Sequence, residues 1–396
     1  MTIGLFRAAL ILGLLSSVGP FAIDMYLPAM PAIAADLGAS ISATQNTITA
    51  YFIAFGLGQL IYGPWADQAG RKLPVYVGLG IFIAGSLACA VAPTIGLLVA
   101  GRALQGLGGA VLMVVPRAVI RDLHTGPAAT RLMALIMLVI SVSPFLAPLA
   151  GSGLIALWDW RAIFVVLCGA AGLSLLLTGF LLPETLPPDQ RVPINTKSLW
   201  QGAKVLFADR MFMGLTFLGG FGMASFFVFI ASAAFVYTQT YGLTPTQFSL
   251  AFAVNALGFF AASQFAAPLG EKYGARPVIA MATAGFALTT VVLFGLGLAG
   301  FAPLWVVIGG LFVANAFMGL VIPTTMVMAL DDHGDIAGLA SSLGGTLQML
   351  CGGVMIGVAG PFFDGTVLPM LAVIAICGVL AFALSRVVLA GRVVAA

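Results

Sequence analysis

Long apolar runs, repeated from one end of the chain to the other, constrain its fold more than any other feature. A helix that crosses a bilayer core about 30 Å thick needs about 20 apolar residues. Runs of this length recur here, and only 7% of the residues are charged, against roughly 25% in soluble domains. Stretches such as LLVAGRALQGLGGAVLMVV are apolar on nearly every face, unlike the alternating segments of a β-barrel. We therefore predict an all-α integral membrane protein.

The runs predict twelve membrane-spanning helices. They lie near residues 5 to 30, 43 to 63, 73 to 93, 95 to 117, 131 to 157, 160 to 182, 211 to 238, 246 to 268, 277 to 299, 303 to 329, 337 to 360 and 367 to 389. An even number of spans leaves both termini on the same side of the membrane.

Lysine and arginine positions predict which side that is. The opposite loops hold only Arg161, whereas the side shared by the termini holds Arg7, Arg71, Lys72, Arg117, Arg121, Arg131, Arg191, Lys197, Lys204, Arg210, Lys272, Arg276, Arg386 and Arg392. Positively charged loops stay in the cytoplasm. We therefore expect cytoplasmic termini and, in a bacterium, a multi-pass protein of the inner membrane.

No residue pattern typical of a metal site, a cofactor or an enzyme is found. The four cysteines lie inside predicted helices without CxxC spacing, and His124 and His333 have no second ligand at metal-binding spacing. There is no Walker A loop for ATP and no spaced set of nucleophile, base and orienting group. We predict a non-enzyme without cofactor or nucleic-acid partner, and any pumping must use an ion gradient or a partner protein.

A loop with concentrated charge occurs twice. GPWADQAGRKLPV, residues 63–75, has a weaker copy in APLGEKYGARPV, residues 267–278, about half the 396-residue chain further on. The repeat predicts two six-helix halves, residues 1–182 and 211–396, joined by a cytoplasmic connector over 183–210. Two parallel halves with a binding site at their interface form a known transporter plan.

Three motifs resemble the major facilitator superfamily. The first loop matches its loop signature at Gly63, Asp67, Gly70, Arg71 and Lys72, with Gln68 in place of the usual base. Helix four carries Arg102, Gln105, Gly106 and Gly108, and helix five carries a weakened antiporter motif in Ala147, Pro148, Gly151 and Ser152. The stretches DMYLPAMPAIAADLGAS and DWRAIF are similar to the Bcr/CflA branch of twelve-span drug/proton antiporters.

Asp24 and Arg102 are the candidate proton-coupling residues. Charged groups within a bilayer are costly and need a reason, and both residues lie about 10 Å below the outer surface. Burial favours a protonated Asp24, and the nearby cation of Arg102 favours the ionised form. The structural alternatives are a helix-end aspartate that binds water, and an arginine that bonds between helices through Gln105. The resemblance implies the proton-coupling role, because related exporters place an essential acid in this helix.

The repeated loop is a candidate cytoplasmic gate. Its simplest explanation is solvated, topology-setting charge. The resemblance implies more, namely that Asp67 meets the N-terminus of helix eleven near Ile336 and that Arg71 pairs with Asp122. Gly70, which lies between Asp67 and Arg71, permits a tight turn, so that the two charged side chains can reach different neighbours. In the second copy, Glu271 takes the place of Asp67, and Arg276 is the base that follows the glycine.

Helix bending and substrate contact have their own candidates. Pro144, Pro148 and Gly151 favour a bent helix five that seals against its partner, although small-residue packing alone explains the glycine. Drug sites are mostly apolar and aromatic with a few polar groups. The candidate substrate residues are Tyr51, Gln105, Phe226, Phe229, Asn255 and Asn315, each of which has an ordinary packing explanation.

These features favour a monomeric, proton-driven exporter of small amphipathic drugs such as chloramphenicol, florfenicol or bicyclomycin, working by alternating access. The nearest rival is a dedicated metabolite transporter of the same fold. A receptor or scaffold built on a transporter fold is a further alternative, but it has no need for gate and proton groups.

Overall fold

The computed structural model describes residues 5–124, 126–191 and 193–390, and within these ranges the chain is helical without a β-strand. The chain divides after Thr196 into two compact units. This division falls inside the segment that the sequence predicts to be the connector.

The described residues of the first unit form eight α-helices. They are α1 (Leu5–Asp24), α2 (Met30–Asp36), α3 (Ile41–Ala69), α4 (Lys72–Ala90), α5 (Ile95–Gly109), α6 (Val111–Leu123), α7 (Gly126–Leu157) and α8 (Arg161–Leu181). Helices α1 and α2 form one span with a break at Tyr26, where Pro28 and Pro31 cannot donate helical hydrogen bonds. Helices α5 and α6 form another, from Ile95 to Leu123.

The described residues of the second unit also form eight α-helices. They are α9 (Thr196–Ala208), α10 (Arg210–Phe235), α11 (Pro245–Ser263), α12 (Ala266–Tyr273), α13 (Ala275–Leu298), α14 (Leu304–Leu330), α15 (Ala337–Ala359) and α16 (Val367–Ala390). Helix α9 lies in the predicted connector, where the sequence indicated only a polar segment. Its Gly202 packs against Leu339 at the start of α15.

Eleven segments of the described chain are long and apolar enough to cross a membrane. Helix α3, which covers the predicted span at 43 to 63, is not among them despite its 29 residues. Polar residues lower its hydropathy, and three of them, Thr44, Gln45 and Thr47, are buried within the unit. A helix with this composition needs the neighbouring helices to cover its polar face.

Small residues bring the helices of the first unit close together. A Cβ atom added at Gly85 of α4 would lie 2.4 Å from the backbone nitrogen of Gln105 in α5, and one added at Gly106 would lie 2.3 Å from the carbonyl oxygen of Tyr51 in α3. Membrane helices pack through such residues because lipid offers no hydrophobic drive for their association. These contacts fix the positions of Arg102 and Gln105.

The repeated loops contain the same backbone turn. Gly70 follows α3 with a φ of 91°, and Gly274 follows α12 with a φ of 87°. Residues with a side chain rarely adopt this conformation, so both loops require glycine at this position. The sequence repeat is therefore a repeat of local structure.

Asp209 joins α9 to α10 and stabilises the start of α10. Its Oδ1 accepts the backbone N–H groups of Met211 at 2.7 Å and Phe212 at 3.3 Å, and its Oδ2 lies 2.8 Å from Nε2 of His333. Partial burial alone would raise the pKa of Asp209, but these hydrogen bonds and the adjacent His333 hold the pKa below its usual value.

Candidate functional site

Asp24 is the last residue of α1, and its carboxylate faces α7. The side chain is buried, and its Oδ2 accepts a hydrogen bond from the hydroxyl of Ser143 at 3.0 Å. Ser143 is fully buried and directly precedes Pro144. Asp24 therefore lies at the break of the first span, next to the part of α7 that contains proline.

Arg102 is the largest fully buried side chain, and it is held between two tyrosine rings. Its guanidinium carbon lies 4.6 Å from the ring centroid of Tyr26 and 4.4 Å from that of Tyr51. A desolvated guanidinium over an aromatic face is stabilised by about 2 kcal/mol. Tyr26 and Tyr51 come from two different spans, so the stack ties both of these spans to α5.

The polar contacts of Arg102 use only part of the guanidinium. Nη1 donates to the carbonyl oxygen of Ala22 at 3.0 Å and also to Oε1 of Gln105, which in turn donates to Ser86 at 2.7 Å. Nε and Nη2 are buried without a hydrogen-bond partner in the described chain. This edge is the one with which arginine binds two oxygens of a carboxylate at once.

Asp24 and Arg102 lie in one neighbourhood but do not pair. Arg102 bonds the carbonyl of Ala22, two residues before Asp24, and the described residues contain no ion pair between the two side chains. The predicted alternative, a bond from Arg102 to Gln105, is present. It does not satisfy the arginine, however, because two of its guanidinium nitrogen atoms, Nε and Nη2, have no acceptor in the described chain.

The first repeated loop forms a dense ion-pair cluster. Arg71 is buried, with Nη1 at 2.6 Å from Oδ1 of Asp67, Nε at 2.7 Å from Oδ2 of Asp122 and Nη2 at 3.1 Å from Oδ1 of Asp122. The predicted pair between Arg71 and Asp122 is therefore formed, in the two-pronged geometry that arginine favours. Burial alone would lower the pKa of Arg71, but the two carboxylates raise it.

Glu184, which the sequence did not single out, completes this cluster from the segment after α8. Its Oε1 accepts the backbone N–H of Arg71 at 2.8 Å, and its Oε2 accepts that of Lys72 at 3.1 Å. The next residue, Thr185, donates to Oδ2 of Asp122 at 2.9 Å. Glu184 thus satisfies the exposed N–H groups at the start of α4, where a negative charge is favourable.

The second repeated loop lacks this arrangement. Glu271 is exposed, and neither it nor Arg276 forms an ion pair within the described chain. Arg276 instead lines a cavity of about 420 Å³ together with Asp331 and Asp332. The two copies therefore share their backbone turn and differ in their charge contacts.

The antiporter motif lies on α7 against the break in the first span. Pro144 and Pro148 fall inside the helix, and a Cβ atom added at Gly151 would lie 2.1 Å from the carbonyl oxygen of Met25. Ser152 donates to the carbonyl of Leu149 at 2.9 Å within its own helix. Gly151 is thus a point of close helix contact, as small-residue packing predicts.

The predicted substrate residues separate into two groups. Tyr51 and Gln105 belong to the Arg102 cluster of the first unit. In the second unit, Phe229 stacks on Phe252 with ring centroids 5.6 Å apart, and Phe226 stacks on Phe259 at 6.1 Å.

Buried polar atoms accompany these rings in the second unit. The amide of Asn255 donates to the carbonyl of Ala251 at 3.1 Å, and its side chain also interacts with the hydroxyl of Tyr237, while Nδ2 of Asn315 has no hydrogen-bond partner in the described chain. Unsatisfied buried polar atoms are uncommon, and they mark a place where a ligand or water can bind. The aromatic stacks and these atoms together have the composition of a drug site.

Comparison with known proteins identifies the family. A model described as Major Facilitator Superfamily matches residues 12–355. The chain belongs to this superfamily. The motif resemblance and the all-helical twelve-span fold predicted from the sequence are thereby confirmed, and the protein is a multi-pass membrane transporter.

Relatives of this facilitator cover nearly its whole length. An uncharacterized MFS-type transporter, YdgK of Bacillus subtilis, is 35% identical over 385 residues, covering 94% of both chains. A bicyclomycin resistance protein homolog of Haemophilus influenzae is 30% identical and covers 95% of this chain and 94% of its own. The crystal structure of a D-xylose–proton symporter has a TM-score of 0.74 at 17% identity, over 96% of this chain and 97% of that one. The last likeness concerns the fold alone.

Three residues of the facilitator's site escaped the sequence analysis, namely Ser143, Glu184 and Tyr26. Each makes its contact across a helix interface or from the connector, so no local motif marks it. Glu184 had a signal, because it is an acid directly after an apolar span, at a loop already rich in arginine and lysine. Ser143 and Tyr26 resemble the many other small polar and aromatic residues of membrane helices.

Proposed function

We propose that the protein exports small amphipathic compounds of the chloramphenicol, florfenicol or bicyclomycin kind in exchange for protons. The observation that carries this proposal is a buried carboxylate, Asp24, in the neighbourhood of a buried arginine, Arg102, that has two guanidinium nitrogen atoms without an acceptor in the described chain. A bicyclomycin resistance protein homolog among the relatives supports the substrate class. The arginine and lysine distribution supports an inner-membrane protein with cytoplasmic termini. We further propose that it works as a monomer.

Asp24 is the proposed proton site because two opposing effects act on its ionisation. In the structure it takes a hydrogen bond from Ser143, which favours the ionised carboxylate. Burial away from water favours the neutral acid. A small movement of the surrounding helices therefore changes the balance between the two forms.

Arg102 is the proposed electrostatic partner. Its guanidinium stays protonated at physiological pH, so it cannot carry the transported proton. Its free Nε and Nη2 edge can donate hydrogen bonds to the Asp24 carboxylate, or to a carbonyl or hydroxyl oxygen of the substrate, without breaking its bonds to Ala22 and Gln105. Competition between the ionised acid and a substrate oxygen for this edge links drug binding to the protonation state of Asp24.

Exchange also requires a conformational change that both ligands bias. A ligand shifts such an equilibrium only by its different affinity for the two states. We assign the cytoplasmic gate to the cluster of Asp67, Arg71 and Asp122, in which Arg71 is buried and doubly paired, and the aromatic part of the drug site to Phe226 and Phe229 with Asn255 and Asn315. The helix bend at Pro144 and Pro148 gives α7 the freedom to follow the change.

The decisive experiment measures proton movement in inverted membrane vesicles with an acidic lumen. Adding chloramphenicol, florfenicol or bicyclomycin to wild-type vesicles is expected to release protons from the lumen. Asp24→Asn should abolish this release while leaving expression intact. Asp189→Asn, which removes an exposed carboxylate of the connector, is the matched control and should behave like wild type.

Two outcomes contradict the proposal. Retained drug-dependent release in Asp24→Asn removes Asp24 from the coupling step. An absence of release with every compound in the wild-type protein removes drug/proton exchange and directs the search to a metabolite carried by the same fold.

A further inference from the structure

Ser143 differs from the other serines of α7 in the direction of its hydrogen bond. Serine in a helix ordinarily donates to a carbonyl three or four residues earlier. Ser141 does so to Leu138 at 2.8 Å, and Ser152 does so to Leu149 at 2.9 Å. Ser143 instead donates across the helix interface to Asp24 in α1 at 3.0 Å.

This interhelical bond is shielded from water. Ser143 has 0% and Asp24 has 6% of its surface exposed, so water does not replace the hydroxyl if the helices separate slightly. Hydrogen bonds to a charged group are stronger than those between neutral groups and gain further in a medium of low dielectric constant. The ionisation of Asp24 is therefore sensitive to the position of one hydroxyl group.

The charged and titratable groups around the carboxylate are few. Arg102 of α5 lies nearby through its bond to the carbonyl of Ala22, and the phenols of Tyr26 and Tyr51 pack on either side of Arg102. Arginine stays charged, and a phenol normally titrates near pH 10, well above the working range. The hydrogen bond to the Asp24 carboxylate comes from Ser143 of α7, the helix that contains Pro144 and Pro148.

Ser143 lies at the point of α7 where bending of the helix would change its distance to Asp24. Pro144 and Pro148 lack the N–H groups that would donate to the carbonyls of Ile140 and Pro144, so the helix is least rigid here. Two turns further on, Gly151 packs on the carbonyl oxygen of Met25 and anchors α7 to the break of the first span. Bending between the two points moves Ser143 relative to Asp24 while the anchor holds.

We propose that Ser143 is a positioning residue that makes the proton affinity of Asp24 depend on the bend of α7. The inference rests on the proposed function, in which Asp24 is the proton site. When Ser143 donates, the carboxylate is stabilised and the proton leaves. When the bend withdraws the hydroxyl, the carboxylate loses its donor and the acid takes up a proton.

Infrared spectroscopy of the purified, reconstituted protein tests this directly. The carbonyl stretch of protonated Asp24 is assigned as the band that is lost in Asp24→Asn, and its intensity is followed as a function of pH. Ser143→Ala should move the midpoint about 1 pH unit upward, equivalent to about tenfold tighter proton binding. Ser143→Thr keeps the hydroxyl and should restore the wild-type midpoint.

Matched variants separate this effect from general damage. Ser141→Ala removes a serine hydroxyl from the same helix and should leave the midpoint unchanged, because that hydroxyl bonds its own backbone. If Ser143→Ala does not fold, the comparison of Ser143→Thr with Ser143→Cys, a weaker hydrogen-bond donor, carries the test.

The outcomes are distinct from those of the vesicle experiment, because the titration needs no drug. A midpoint in Ser143→Ala equal to that of wild type overturns the role of Ser143 even if drug/proton exchange is found. A shifted midpoint supports it even if none of the tested drugs is a substrate. A midpoint that shifts equally in Ser141→Ala also overturns it, because the shift then reflects loosening of α7.

Discussion

Glu184 binds Arg71 through the main chain and not through the guanidinium. Its carboxylate accepts the backbone N–H of Arg71 at 2.8 Å, which leaves the Arg71 side chain to Asp67 and Asp122. A residue in the segment after α8 therefore holds the loop that precedes α4. The proposed gate, the cluster of Asp67, Arg71 and Asp122, depends on this contact from outside its own sequence motif.

Replacing Glu184 by glutamine should loosen the start of α4. The amide keeps the size of the side chain but loses the charge and one of the two acceptors used by Arg71 and Lys72. Amide hydrogen exchange in the peptide that spans these residues should become about tenfold faster, equivalent to about 1.4 kcal/mol of local stability. Asp189→Asn is the control, and equal exchange in the two variants would show that the Glu184 contact contributes little.

Gly70→Ala and Gly274→Ala form a matched pair in the two repeated loops. Gly70 has φ 91° and ψ 171°, and Gly274 has φ 87° and ψ 147°, a region that is almost restricted to glycine, so alanine costs about 1 to 3 kcal/mol at either position. An added Cβ at Gly70 also meets Oε2 of Glu184 at 2.7 Å, whereas at Gly274 the nearest atom is Cδ of Pro277 at 3.5 Å. Thermal unfolding in detergent should therefore show a larger loss for Gly70→Ala, and equal losses would contradict the close contact.

Asp67→Ala should bias the transporter toward its inward-open state. The substitution removes one of two carboxylates paired with Arg71, and the Asp67 side chain is 54% exposed and available to other partners. Spin labels on the cytoplasmic ends of the two halves would report the change as a longer mean distance. Asp189→Ala is the control, and an unchanged distance distribution in Asp67→Ala would argue against the gate.

Asp209→Ala should destabilise the protein in a pH-dependent manner. Loss of this helix cap costs about 1 kcal/mol at neutral pH. Because the pKa of Asp209 is lowered in the folded protein, its stabilising contribution is complete above the unfolded pKa of about 4 and disappears as the pH falls through the folded pKa.

Thermal unfolding of both proteins across this pH range checks the prediction for Asp209. The difference between wild type and variant should be largest near pH 7 and should shrink in acid. Asp189→Ala provides a carboxylate without a cap, and its difference from wild type should not vary in this way. A constant difference for Asp209→Ala would mean that the carboxylate charge makes no contribution.

The sequence predicted the spans and one ion pair well for physical reasons. Apolar runs of about 20 residues have few alternatives to a membrane helix. Arg71 and Asp122 were predicted as partners because the family resemblance, and not geometry, implied the pair. The hydropathy of α3 is low because the helix contains polar residues such as Thr44 and Gln45. A count of apolar residues cannot reveal that these side chains are buried against neighbouring helices.

Side-chain partners across helix interfaces were beyond such reasoning. Counting residues placed Asp24 and Arg102 at a similar depth, yet a helix turns about 100° per residue, so depth does not determine which neighbour a side chain faces. Asp24 faces Ser143, and Arg102 faces Ala22 and two tyrosine rings. These choices follow from the glycine contacts that set the distance and rotation of α3, α4 and α5.

The bonds of Glu184 and Thr185 also determine where this transporter can be cut into two polypeptides. Hydropathy alone would suggest a break directly after α8. Such a break would separate Glu184 and Thr185 from the fragment that contains their partners in the first repeated loop and at Asp122. A break next to Thr196, where the two compact units divide, keeps them in place. Split versions and chimaeras that exchange halves with a relative should therefore carry the segment up to Asn195 with the first half.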